Sequence, residues 1–92
     1  MGTIWKFRIP ILDDFEIEMP RDAEFLMVGA QDLGAYLWAR VVPERDKEVR
    51  KFKLRGTGHL VDLDCEHVGS FLIRGGALVY HLFEDNDKSS LR

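Results

Sequence analysis

Hydrophobic and polar residues alternate with a period of two over most of this chain, the pattern of strands with one buried face. Trp5, Phe7 and Ile9 alternate with Lys6 and Arg8 until Pro10. Asp13-Asp14 then marks a turn. Phe15, Ile17 and Met19 alternate with Glu16 and Glu18 until Pro20. The exposed face of the first segment is basic and that of the second acidic. Paired antiparallel, the two would attract across the strands. Phe25 to Ala30 and Ala35 to Val42 flank Asp32-Leu33-Gly34, a hairpin turn in which Gly34 is expected to supply a positive φ. Phe25-Leu26-Met27-Val28 is apolar on both faces, which suits a central strand. Beyond the turn, Leu37, Ala39 and Val41 share one face, and Tyr36, Trp38 and Arg40 the other.

Pro43 to Glu48 is a charged loop. In Val49 to Arg55, Phe52 and Leu54 point inward, and Lys51, Lys53 and Arg55 outward. Gly56 to Cys65 reads as irregular, with a short helical turn as an option near Asp62 to Glu66. Glu66 to Arg74 and Ala77 to Phe83 form a hairpin around Gly75-Gly76. Its second strand is apolar on both sides: Ala77, Val79 and Phe83 flank His81 on one, and Leu78, Tyr80 and Leu82 lie on the other. The pattern predicts an all-β fold, a compact sandwich or partly open barrel of about seven short, mainly antiparallel strands. One domain is expected over residues 1–84, with 85–92 as a flexible polar tail.

Composition narrows the function only a little. The chain has 92 residues, 46% of them hydrophobic, and a net charge of −3. That suffices for a real core in one domain. It offers no global attraction for nucleic acid or an anionic membrane surface. No apolar run reaches the ~20 residues of a spanning helix, and the start of the chain shows no secretory signal. The one cysteine, Cys65, has no intramolecular disulfide partner. A reducing compartment is the default.

The run from Arg55 to Glu84 holds all three histidines, the cysteine and five of the eight glycines. His59, Asp62, Asp64, Cys65 and His67 are metal-ligand residue types, but their spacing matches no strong motif. The same residues serve as a polar loop with turn-forming aspartates. Cys65 beside a histidine could be a nucleophile, yet Asp62, Asp64 and Glu66 crowd it and raise its pKa. Neither metal, cofactor nor catalytic residue is therefore expected. Gly56-Thr57-Gly58-His59 follows a basic strand, and glycine N–H groups with Arg55 and Lys53 could hold an anion. A plain glycine turn beside a solvated strand face is the alternative. Seven Lys/Arg against three acids between Arg40 and Arg55, with Tyr36, Trp38 and Phe52 nearby, suggest stacking plus phosphate contacts; a lysine-protected edge strand explains them as well. His81 fits a core or interface hydrogen bond. Strands apolar on both sides point to a homo-oligomer.

Several segments together resemble a family of short, uncharacterised proteins of bacteriophages and prophages. They are Ile4-Trp5-Lys6-Phe7, Ile17-Glu18-Met19-Pro20, Leu37-Trp38-Ala39, Phe52 to His59, Val68-Gly69-Ser70-Phe71 and Gly75 to Phe83. The resemblance covers about residues 3–84. It carries no assigned activity and no catalytic residues. It implies a phage origin and a place in the cytoplasm of the infected bacterium. The resulting expectation is a non-catalytic accessory binding protein acting on a host protein or a small anionic, nucleotide-like ligand. Its expected site is Lys53, Arg55, Gly56, Thr57, Gly58 and His59, with Trp38 stacking a ring. A structural component of the phage particle is the alternative, and a metal-dependent enzyme the third.

Overall fold

The computed structural model describes residues 1–86 of the chain. Seven strands follow one another: β1 Thr3–Ile9, β2 Asp14–Pro20, β3 Glu24–Gln31, β4 Gly34–Val41, β5 Lys47–Gly56, β6 Cys65–Ile73 and β7 Leu78–Asp85. They form two antiparallel sheets, ordered β1-β4-β3 and β2-β5-β7-β6, that are not closed into a barrel. Among the described residues no helix is long and apolar enough to cross a membrane.

The period-two pattern produces this architecture directly. Ile9, Ala35, Leu37, Ala39 and Val41 of the first sheet meet Met19, Phe52, Leu54, Phe71 and Leu82 of the second in one core. Phe52 sits at the junction. Its ring stacks on Phe15 at 5.5 Å and meets Phe25 of the opposite sheet at 5.6 Å. Burying such a side chain contributes about 1.5–3 kcal/mol. Gly69 sets how closely β6 approaches β3: a Cβ there would lie 2.4 Å from Cγ2 of Val28, so only glycine fits.

The pairing differs from the sequence expectation at several points. β1 and β2 do not pair with each other, because the chain changes sheets between them. β1 lies against β4 and β2 against β5. The acidic face of β2 still meets lysines, but they are those of β5, with Asp14 opposite Lys53 and Glu16 opposite Lys51. β3 is the end strand of its sheet rather than a central one, and a bulge between Phe25 and Met27 leaves Leu26 and Met27 exposed. Gly34 is not the left-handed residue of the β3–β4 turn. Asp32 is, at φ 55°, a conformation that aspartate tolerates better than most residues. Of the irregular segment, the helical turn held open near Asp62 to Glu66 is a single turn in which the Cys65 N–H donates to the Asp62 carbonyl at 3.1 Å. The β6–β7 hairpin closes where expected, through a turn in which Arg74, Gly75 and Gly76 all take positive φ, 54°, 65° and 92°. β7 runs on to Asp85, past the domain boundary set at residue 84. Of the expected tail, residues 87–92 lie outside the described residues.

Two charged side chains enter this apolar interior. Arg50 of β5 forms a two-pronged ion pair with Glu84 of β7, donating from Nε to Oε2 and from Nη2 to Oε1 at 2.9 Å. It also donates from Nη1 to the Ala23 carbonyl at 3.1 Å and lies 4.5 Å over the Phe25 ring. The hydrogen bond that Arg50 donates to Glu84 raises the Arg50 pKa above its ordinary value.

Candidate functional site

Side chains that alternate with the core residues of β5, β7 and β6 build the outer face of the four-stranded sheet. Cross-strand pairing arranges them in two rows. Arg55 lies opposite His81, which lies opposite Ser70; Lys53 lies opposite Phe83, which lies opposite His67. The β-bulge between His67 and Gly69 shifts register by one residue and keeps both His67 and Ser70 in line with β7.

Hydrogen bonds tie four of these groups into one chain. Thr57 Oγ1 is 2.9 Å from His81 Nε2, and Ser70 Oγ is 2.7 Å from His81 Nδ1. His67 Nε2 is 3.0 Å from Ser70 Oγ. The His67 ring meets the edge of Phe83 with centroids 5.3 Å apart. A neutral imidazole offers one N–H and one lone pair, and a serine hydroxyl donates once and accepts twice. The chain is therefore satisfied with donors running in either direction. Such a string can reverse its donors to suit an incoming oxygen.

The structure brings part of the sequence-predicted site here and commits the rest elsewhere. Thr57 belongs to the cluster. Arg55 flanks it but clamps backbone: Nε donates to the Leu60 carbonyl at 3.0 Å, and Nη1 to the carbonyls of Asp13 at 2.6 Å and Leu54 at 3.0 Å. Nη2 reaches Asp14 at 3.4 Å. Lys53 also bonds Asp14, at 3.1 Å. The bond from Lys53 is the main cause that holds the Asp14 carboxyl below its ordinary range, and it raises Lys53 in turn. Gly56 donates its N–H to His59 Nδ1 at 3.3 Å, and the His59 N–H donates to the Gly56 carbonyl at 3.1 Å. These groups close a turn on themselves, and Gly58, at φ 93°, completes it. Trp38 is not part of the arrangement. It sits on the outer face of the other sheet, beside Tyr36 and opposite Lys6 and Met27.

Gly56, Thr57 and His59 do line a cleft of about 340 Å³ with Ala77, Leu78, Val79 and Tyr80. It opens beside the His81 row, so the polar chain has an apolar shoulder. Among the described residues, no three or more of His, Cys, Asp and Glu come close enough to hold a metal ion, so the His59-to-His67 group is not assembled as a centre. The Cys65 thiol is pushed up by burial first and then by Asp85 and Asp62, which disfavours a thiolate nucleophile.

Sequence reasoning passed over Ser70, weighed His67 only with the metal-ligand types around Cys65, and assigned His81 to a core or interface hydrogen bond. One signal was present. Folding the last hairpin about Gly75-Gly76 places Ser70 opposite His81. His67 could not be placed that way, because the bulge that aligns it has no mark in the pattern.

No curated protein matches the chain, and no solved structure does. The model of one family matches residues 1–92, and the chain thus belongs to the family described as Domain of unknown function (DUF7352).

Proposed function

We propose that this chain is a non-catalytic binding protein that captures a small anionic, nucleotide-like ligand on the outer face of its four-stranded sheet. The observation that carries this reading is the hydrogen-bonded chain Thr57–His81–Ser70–His67 beside Phe83. One donor stays free at whichever end of the string its polarity leaves open, the Thr57 hydroxyl or the far His67 nitrogen, and it receives a phosphate oxygen; Arg55 and Lys53, which Asp14 offsets only in part, add net positive charge behind it. Phe83 offers a ring platform, the role expected of Trp38, and base–aromatic stacking contributes about 1–3 kcal/mol. The resemblance to phage and prophage proteins supports a setting in the infected bacterial cytoplasm, where sequestering a nucleotide is a binding task.

Ser70 and His81 also stand at the separation of a nucleophile and its base. The far nitrogen of His81, however, meets the uncharged hydroxyl of Thr57 rather than a carboxylate. A charged partner is what orients the ring and stabilises an imidazolium in hydrolytic triads. Binding is therefore the better reading of the pair.

Calorimetric titration with nucleoside mono-, di- and triphosphates and with inorganic phosphate tests it. At least one nucleotide should bind, and His81→Ala or Ser70→Ala should weaken it by about tenfold or more, the loss expected for a hydrogen bond to a charged group. Trp38→Phe should bind as the parent does. Equal affinity in all variants, or no binding across the panel, sinks the assignment.

A further inference from the structure

The two sheets touch along β3 and β6, where Val28 packs on Gly69, and β1 and β2 are the strands at their opposite edges. Each of these last two strands pairs on one side only. An opening at these edges shows in the burial of the inward residues. Leu37, Ala39, Phe52 and Leu82 of the interior strands are at most 1% exposed. Of the inward residues of β1 and β2, Ile9 and Met19 are as buried as these, whereas Trp5, Phe7, Phe15 and Ile17 are only half-buried, so the opening is confined to those four side chains.

We propose that a second copy of this chain covers this opening, with β1 of each copy adding antiparallel to β2 of the other. Both strands are seven residues long. With Phe7 set opposite Ile17 of the second copy, Trp5 meets Met19 and Ile9 meets Phe15. All these side chains belong to the inner faces. In the same register Lys6 meets Glu18 and Arg8 meets Glu16 on the outer face. Among the described residues, Arg8, Glu16 and Glu18 have no ion pair within the chain. Opposite charges across a strand pair stabilise it, and like charges destabilise it. Pairing β1 with a second β1 would set Lys6 against Arg8, and β2 with a second β2 would set Glu16 against Glu18. The charges thus block both self-pairings and admit the mixed one, combining attraction to the right edge with repulsion from the wrong one. A twofold dimer of this kind pairs the β1 and β2 edges of both copies at once.

Charge reversal in two separate proteins tests the register. Sedimentation equilibrium should show the parent chain as a dimer. Lys6→Glu/Arg8→Glu and Glu16→Lys/Glu18→Lys should each weaken self-association by about tenfold or more, since each then faces like charges at both seams. Mixed one to one, the two variants should form a heterodimer, because both seams become complementary again. Circular dichroism checks that each variant is folded. If either does not fold, Arg8→Glu and Glu16→Lys alone repeat the mixing experiment at one pair per seam. A parent chain that stays monomeric at all concentrations overturns the proposal. So do variants that dimerise as well alone as mixed.

Discussion

Replacing Arg50 with methionine is expected to destabilise the domain by about 3–5 kcal/mol, the usual result of removing one partner of a buried ion pair. The structure accounts for that size. The side chains of Arg50 and Glu84 are 18% and 11% exposed. The substitution removes both donors to Glu84 and the donor to the Ala23 carbonyl, and takes the cation from the Phe25 ring. Glu84, 8% exposed as a residue, would be left without its partner. Unfolding followed by tryptophan fluorescence in urea and on heating measures the effect. At roughly 4–8 °C per kcal/mol for a domain of this size, the melting temperature should fall by about 12 °C or more. The control is Arg50→Met with Glu84→Leu, which removes both charges and should recover most of the loss. A cost below about 1 kcal/mol for the single substitution would mean that the pair behaves as a solvated surface bridge. A double variant no better than the single would show that the unpartnered Glu84 is not the source of the loss.

Gly69→Ala should cost about 1–3 kcal/mol in urea unfolding, because its Cβ would lie 2.4 Å from Val28 Cγ2. Adding Val28→Ala should relieve that overlap, and an unchanged midpoint in Gly69→Ala would show that the sheets do not meet there. Burial and the nearby Asp85 and Asp62 keep Cys65 protonated beyond the pH at which an ordinary thiol ionises. Its rate of alkylation by iodoacetamide should therefore rise at a higher pH than that of a free thiol peptide measured in parallel, and an equal or lower midpoint contradicts the placement.

The alternation of side chains was enough to locate the strands and say which residues face in. Phe52 and Leu54 against Lys51, Lys53 and Arg55 is a clear instance. Partner choice was not legible. The basic face of β1 and the acidic face of β2 are equally consistent with pairing inside one chain, with pairing to other strands, and with pairing between copies. Local pattern carries no information about where the chain changes sheets. The same gap separates the two versions of the site. Arg55 and Lys53 look available in sequence, because nothing there reveals that residues 13 and 14 fold back onto them. For His81, the apolar neighbours Val79 and Phe83 left a core and an interface position equally open in sequence, and cross-strand pairing with Arg55 and Ser70 puts it on the outer face.

The change of sheet between Ile9 and Asp14 also has a consequence for how the domain is made. The β3–β4 and β6–β7 hairpins join neighbouring segments through short turns and have little loop entropy to overcome. β1 must await β4, and β2 must await β5, across the intervening chain. Such non-local pairings slow folding. β1 and β2 are thus made before the strands they pair with, and until β4 and β5 follow, Trp5, Phe7, Phe15 and Ile17 lack the sheets that bury them.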